Sequence, residues 1–330
     1  MSILVTGGAG YIGSHIALAL LDDGSDVVVA DNLSTGLRAL VPAGAAFERV
    51  DLRDREKLAD LMVEYGVEAV IHCAASTVVP DSVMDPLGYY ENNILGTLTL
   101  LQAMQAGKVR RLIFSSTAAV YNPEGRSLIS EHENPDPVSP YGASKLMAER
   151  MVRDMAVAGD VDFTILRYFN VAGADPMGRS GQSTPAATHL IKVAAEVACG
   201  ARSTLTIFGT EWPTPDGTGV RDYVHVSDLA QAHISALKSL DGPAHNSTLN
   251  CGYGRGSSVR DVIHAVERAT GEVLPVNVAP ARPGDLAEVV ADARALRRAL
   301  NWKPQYDDLD VIVRHSLEWE SKRMLSQLEN

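Results

Sequence analysis

The sequence predicts a doubly wound α/β fold, a parallel sheet with helices on both faces, followed by a smaller C-terminal α/β lobe. Three observations predict it. Short apolar runs alternate with helical patterns through the first half of the 330 residues. A glycine-rich turn joins the first strand to the first helix, and after Phe169 the texture changes to Gly- and Pro-rich loops.

In chain order, SILVTG (2–7) reads as a strand and YIGSHIALALLDDG (11–24) as a helix stopped by Gly24. DVVVAD (26–31), FERVD (47–51), EAVIHCAA (68–75), RLIFSS (111–116) and DFTILRYF (162–169) are further strands, with helical segments near 54–65, 81–107 and 139–158. This alternation implies right-handed crossovers and hence a parallel sheet. Residues 170–187 and 209–219 read as loops. Around them lie helices near 187–200, 227–240 and 257–270 and a strand near 247–251. The expected division is a dinucleotide-binding domain over 1–170 and a substrate domain over 171–330, with parts near 220–250 returning to pack on the first.

Composition narrows the function classes. A net charge of −12, from 29 basic and 41 acidic residues, argues against a general phosphate-backbone binder, so no nucleic-acid partner is expected. No apolar run approaches membrane-spanning length. The N-terminal MSILVTGGAGYIG lacks the basic start and apolar core of a secretory signal. Cys73, Cys199 and Cys251 form neither a metal spacing nor a disulfide framework. A cytoplasmic protein without a metal site is expected.

Two motifs carry chemistry. In TGGAGYIG (6–13), Gly7, Gly10 and Gly13 allow a tight turn and close approach of backbone to a pyrophosphate at a helix N-terminus, although glycines also serve plain turns. Asp31, eighteen residues beyond Gly13, ends the second strand, where a carboxylate can accept ribose hydroxyls and repel the extra phosphate of NADP. The cofactor expected is NAD. Asp31 also suits a turn before Asn32. In SPYGASK (139–145), Tyr141 and Lys145 stand one helical turn apart behind a Ser-Pro start. An ammonium beside a phenol should lower the tyrosine pKa toward neutrality and make a base. Taken alone, the spacing equally fits a packed Tyr and a solvated Lys.

With the glycine turn, Asp31, FSSTAAVY (114–121) and SPYGASK in this order, the chain resembles the extended short-chain dehydrogenase/reductase superfamily. YYENN (89–93), LRYFNVAGAD (166–175), DGTGVRDYVHVSDLA (216–230) and ARPGD (281–285) narrow the resemblance to the UDP-glucose 4-epimerases, across essentially the whole chain. The resemblance implies a Rossmann-type domain and an isomerase of nucleotide-sugar and galactose metabolism. It implies transient NAD-dependent oxidation at sugar C4 and non-stereospecific hydride return, and a homodimer.

At matching positions it implies that Gly7, Gly10, Tyr11, Ile12, Asp31 and Asn32 hold the adenosine half of NAD, with Asp51 and Leu52 beside the adenine. Ala74, Ala75, Asn92 and Ser115 would line the path to the nicotinamide, with Tyr141, Lys145 and Tyr168 around its ring. Thr117, Tyr141 and Lys145 would be catalytic. Asn170, His189, Leu190, Phe208, Arg221, Arg282 and Asp285 would hold the UDP part. The chemistry agrees, since an anionic diphosphate in an acidic protein needs guanidinium donors such as Arg221 and Arg282. Each arginine alone also fits a solvated loop charge, and His189 a simple helix start.

Four positions depart from the common pattern of these enzymes: Thr117 where many have serine, Thr77 where a lysine is common, Asn122 in place of a glycine, and Val289 where some have tyrosine. Other readings stay open at this stage. One is a 4-epimerase of UDP-N-acetylglucosamine, UDP-xylose or UDP-glucuronate. A 4,6-dehydratase would place an Asp-Glu pair after the threonine, where this chain has Ala118 and Ala119. A regulator that binds NAD as a signal would have no need of Thr117, Tyr141 and Lys145 together. The pathway, galactose use or polysaccharide synthesis, is also open.

Overall fold

In a computed structural model, the structure describes residues 1–122, 128–184, 187–243, 245–282 and 284–328. Seven strands form the main sheet: β1 (Ser2–Thr6), β2 (Asp26–Asp31), β3 (Ala46–Arg49), β4 (Ala69–His72), β5 (Arg111–Thr117), β6 (Asp162–Tyr168) and β7 (Ser247–Cys251). Their order is β7-β6-β5-β4-β1-β2-β3 and every pairing is parallel. The order reverses between β1 and β4, the switch point at which open α/β sheets bind ligands. The doubly wound fold expected from the alternation is therefore present.

Strand interiors are nearly continuous apolar runs, as burial on both faces requires. Ile3, Leu4 and Val5 of β1 are fully buried. One apolar cluster packs helices α1 (Tyr11–Asp22), α5 (Leu190–Ala198) and α6 (Val226–Lys238) against one face. A second packs α2 (Arg55–Glu64), α3 (Gly96–Gly107) and α4 (Pro140–Val157) against the other. The strand expected near 247–251 is β7, paired with β6 at the sheet edge.

The stretch expected as one helix over 81–107 is broken. Pro86 has no N–H to continue a helix, and Asp85 caps the new start by accepting from the Gly88 N–H at 3.0 Å. A π-helical turn at Glu91–Leu95 follows before α3 begins. The loop expected over 170–187 contains a short strand, Asn170–Ala172, paired with Tyr223–His225; residues 185 and 186 lie outside the described residues. Beyond 270, Val276–Ala279 pairs with Leu205–Phe208, and Glu288–Ala291 pairs with Val220–Arg221. A 20-residue helix, α7 (Leu309–Leu328), closes the described chain. Among the described residues, no helix is long and apolar enough to cross a membrane.

Candidate active site

The chain leaves β1 through Gly7, whose φ of +69° only glycine adopts readily. A Cβ there would lie 2.7 Å from the Ala74 backbone, and one on Gly13 would lie 2.2 Å from the Gly7 carbonyl. The first turn of α1 is thus pressed against the loop. Gly10 caps α1 without any side-chain hydrogen bond, so the helix presents bare backbone N–H groups where Gly10, Tyr11, Ile12 and Gly13 line a cavity. At the end of β2, Asp31 accepts from the Ala9 N–H (3.0 Å) and the Leu33 N–H (2.8 Å) while still lining that cavity. Asn32 donates to Asp51 at 3.3 Å, and Arg53 grips Asp51 with two bonds of 2.9 Å, which holds its carboxyl well below the usual range.

These features fit a dinucleotide: uncapped helix amides for a pyrophosphate, a carboxylate for ribose hydroxyls, and glycines where a Cβ would collide. The cavity encloses about 800 Å³ and runs without interruption from Gly7 to Val289. Asn92, on the π-helical turn, lines it and donates to the Ser76 hydroxyl at 3.1 Å. Behind it Asn93, fully inside, ties Ser76 to Ser144 on α4.

Midway along the cavity stand Thr117, at the end of β5, and Tyr141, in the first turn of α4. The helix starts as its sequence predicts, with Ser139 accepting from the Gly142 N–H (3.2 Å) and Pro140 in the first turn. Gly142 has its own reason, because a Cβ there would lie 2.2 Å from the Ala119 carbonyl. The Thr117 hydroxyl stands beside the Tyr141 phenol, and both line the cavity.

The expected drop in the tyrosine pKa is not found in the chain by itself. Burial pushes the Tyr141 phenol up to about 12, against the lowering effect of the neighbouring Thr117 hydroxyl. Burial also pushes Lys145 down to about 8. Its ammonium sits 4.3 Å over the Phe114 ring and is felt chiefly by Cys73 and Glu149 rather than by Tyr141. Helical spacing put both residues on one face, but burial sets the direction of both shifts.

At the far end, Arg221 stands in register with Val289 on adjacent parallel strands, and both line the cavity. The Arg221 guanidinium donates to the Val220 carbonyl at 2.8 Å, and burial lowers its pKa. His189 precedes α5; its Nδ1 accepts from the Gln182 amide at 2.8 Å, and burial lowers its pKa and so favours the neutral ring.

The cavity brings together Gly7, Gly10, Tyr11, Ile12, Asp31, Asn32, Asp51, Leu52, Ala74, Ala75, Asn92, Thr117, Tyr141, Tyr168, Asn170, His189, Arg221, Asp285 and Val289. Lys145, Ser115, Leu190, Phe208 and Arg282 do not line it. Several stand one step behind. Ser115 bonds Cys73, which does line it, and Arg282 lies 4.8 Å over Phe208 while pairing with Asp285 at 2.9 Å. Pro283 of ARPGD lies outside the described residues. Asn122, the departure from glycine, donates to Asp136 at 3.4 Å.

Sequence reasoning missed a buried support. Glu149 accepts from Arg167 through both oxygens (2.8 and 2.6 Å) and from Ser116 (2.6 Å), fastening α4 to β5 and β6 beneath Thr117 and Tyr141. Two signals pointed to it. Glu149 continues the Tyr141, Lys145 face by one more turn, and Arg167 is a charge inside an apolar strand.

The chain is similar to known proteins along nearly its whole length. Residues 3–252 match the NAD dependent epimerase/dehydratase family. A UDP-glucose 4-epimerase from Azospirillum brasilense is 51% identical over 96% of this chain and 91% of its own. A Stenotrophomonas maltophila UDP-glucose-4-epimerase, solved with bound NAD and formylated UDP-arabinopyranose, superposes with a TM-score of 0.95 at 39% identity, covering 99% of both chains. A UDP-Glc/GlcNAc 4-epimerase from Campylobacter jejuni superposes at 0.84 with 40% identity, covering 97% of this chain and 99% of that one. A glycine cradle, a buried Thr-Tyr pair and a cationic far end in one cavity, together with these likenesses, lead to one conclusion: the chain belongs to the NAD dependent epimerase/dehydratase family.

Proposed function

We propose that this enzyme interconverts UDP-glucose and UDP-galactose, using NAD held at the glycine end of the cavity. The observation that carries the reading is the continuity of the cavity, with Thr117 and Tyr141 between the dinucleotide cradle and Arg221. Gly7, Gly10, Tyr11, Ile12, Asp31 and Asn32 hold the adenosine half, Asp51 and Leu52 flank the adenine, and Ala74, Ala75, Asn92 and Ser115 shape the path onward. Asn170, His189, Leu190, Phe208, Arg221, Arg282 and Asp285 hold UDP. The lobes divide near residue 170 along the same line.

Bound NAD supplies the two-electron acceptor for sugar C4 and, when oxidised, a fixed positive charge. Tyr141 takes the proton from the sugar O4, with Thr117 steadying the phenol, and later returns it. A phenol held near 12 by burial is a poor base at neutral pH. It therefore needs cationic company, from Lys145, still mostly protonated with its pKa near 8, and from the oxidised ring. The chain grips UDP at Arg221, and a 4-keto sugar held through its nucleotide is free to turn over.

A dehydratase is disfavoured. Ala118 and Ala119 form a 3₁₀ turn after Thr117, where elimination would need an acid and a base. The specific observation for a second substrate is Val289, a small side chain lining the cavity, which leaves room for a 2-acetamido group.

Cys73, Cys199 and Cys251 are all unpaired, as suits a reducing cytoplasm. For the homodimer, the pairing surface follows from what the helical stretches near 81–107 and 139–158 leave exposed. Leu101 and Met104 are core, and Met151 packs partly against it. Leu95, Leu98 and Met147 are 41%, 40% and 49% exposed on neighbouring helices, and these form the pairing face. Light scattering at micromolar concentration should give twice the chain mass; a monomer mass rejects the dimer. For the activity, incubation with a panel of UDP-sugars without added NAD should yield UDP-galactose from UDP-glucose. Failure to form any 4-epimer overturns the reading.

A further inference from the structure

Asp222 is the residue at which the chain passes from one short sheet to another. Before it, Val220–Arg221 pairs with Glu288–Ala291, with Arg221 beside Val289. After it, Tyr223–His225 pairs with Asn170–Ala172, with Tyr223 beside Asn170. The Asp222 backbone closes both joints: its N–H donates to the Val289 carbonyl at 3.1 Å, and its carbonyl accepts from the Asn170 N–H at 3.0 Å. Arg221, Asn170 and Val289 all line the cavity.

The Asp222 side chain is fully buried and does not line the cavity itself. Its carboxylate gathers three backbone N–H groups, Oδ1 from Tyr253 (2.9 Å) and Oδ2 from Gly254 (2.9 Å) and Ala291 (3.2 Å). The loop is shaped to let it in. A Cβ on Gly252 would lie 2.6 Å from Asp222 Oδ2 and 2.7 Å from the Ala291 Cβ, and Gly254 turns the chain at a φ of +77°. Burial raises the Asp222 pKa, and the three N–H groups oppose the rise. Donors that converge from two sides need an acceptor on each, which a carboxylate has. An asparagine would turn its NH₂ toward at least one N–H. The Arg221 guanidinium, by contrast, donates to the carbonyl of the preceding residue, Val220, so its aim follows the strand that carries it.

We propose that Asp222 is a positioning residue for substrate binding: by fixing the loop at 253–254 and the strand at 288–291 to one carboxylate, it holds Arg221 where its guanidinium meets the diphosphate of a nucleotide sugar. The proposal rests on the reading above that Arg221 binds UDP. Without the carboxylate, the loop and the strand lose their common acceptor, and the strand carrying Arg221 loses its fixed place against Val289. Thr117 and Tyr141 stand on other elements, so the loss falls on binding and not on the chemical step.

The test is a mutant cycle on the holoenzyme. Asp222→Asn should raise the KM for UDP-glucose about threefold to tenfold, the range of one lost hydrogen bond, with kcat and NAD content nearly unchanged. UDP affinity by calorimetry should fall by the same factor, and its dependence on ionic strength should flatten, because the cation has drawn back from the phosphates. A change that merely lowered the folded fraction would reduce the measured kcat and leave KM and the salt slope as they were. On an Arg221→Ala background, Asp222→Asn should weaken UDP binding by less than about twofold. If Asp222→Asn does not fold, Gly252→Ala crowds the same carboxylate from its donor loop and should give the same rise in KM. A folded variant with native UDP affinity, a loss confined to kcat, or penalties that multiply fully in the double variant would each overturn the proposal, while native turnover of UDP-glucose leaves the epimerase reading intact. Absence of native turnover overturns both.

Discussion

At one end of the cavity Gly7, Gly10 and Gly13 bring backbone amides to the ligand, whereas at the other Arg221, Asp285 and Val289 present side chains from short strands and loops. The cofactor end contributes carboxylates, Asp31 and Asp51, and its attraction for phosphate comes from helix α1. Among the described residues lining the cavity, Arg221 is the only arginine or lysine. Even Thr77, where related enzymes often carry lysine, is uncharged. On the proposed reading, a dinucleotide would be gripped by shape and hydrogen bonds and UDP by a cation. The two ends should respond differently to mutation and to salt, while the Thr-Tyr pair between them should respond to neither in binding.

That middle ground gives the largest expected effect. Tyr141→Phe keeps the ring and removes the base, so epimerisation should fall about 10²–10⁴-fold while NAD content is unchanged. A variant retaining more than about a tenth of the native rate, a loss of only ~1.4 kcal/mol, would sink the assignment.

Arg221→Ala should next raise the KM for UDP-sugars by about 1.5–3 kcal/mol, the range for a charged hydrogen bond, with kcat nearly preserved. Raising ionic strength should weaken UDP binding in the native protein more than NAD binding, because screening acts on the cation and hardly on the amide cradle. Equal salt slopes by calorimetry would break the contrast between the ends.

Gly13→Ala probes the backbone end. With a Cβ 2.2 Å from the Gly7 carbonyl, α1 must back away from its loop. The expected outcome is a loss of about 1–3 kcal/mol of stability, read by denaturant unfolding, together with purification largely free of NAD. Retention of cofactor at native stoichiometry would show that the turn tolerates what its geometry forbids.

The same contrast explains how much was legible in the sequence. A backbone cradle needs glycines at fixed spacing, and a helix start needs Ser-Pro, so TGGAGYIG and SPYGASK carried their own geometry. Desolvation is not written in spacing. Lys145 and Tyr141 share a face as expected, but their burial, and so the direction of the Tyr141 shift, depends on what β5 and the turn after it press against them. The far end was legible only through resemblance, because Val220–Arg221 and Glu288–Ala291 are too short to show a period. Helix α7 escaped for another reason: its buried side includes His315, Ser316 and Glu320, so no apolar stripe marks it.

The smallest expected effect concerns Val289, where the far end sets selectivity rather than affinity. Val289 is half-buried, packs against the small cluster of Val120, Tyr121, Ile129, Phe169 and Ala291, and lines the cavity beside Arg221. A tyrosine there would carry its ring into the space beside the sugar C2 substituent, whereas valine leaves that space for an acetamido group. One such change in pocket shape discriminates by about 1–3 kcal/mol, so the native protein should turn over both UDP-glucose and UDP-N-acetylglucosamine rather than switch cleanly between them. Val289→Tyr should depress turnover of the acetamido sugar by that amount and leave UDP-glucose nearly untouched. Because the substitution adds bulk on the cavity side of a packed cluster, its melting temperature must be measured alongside. If the native protein ignores the acetamido sugar, or a stably folded Val289→Tyr turns it over at the native rate, then Val289 is not the gate.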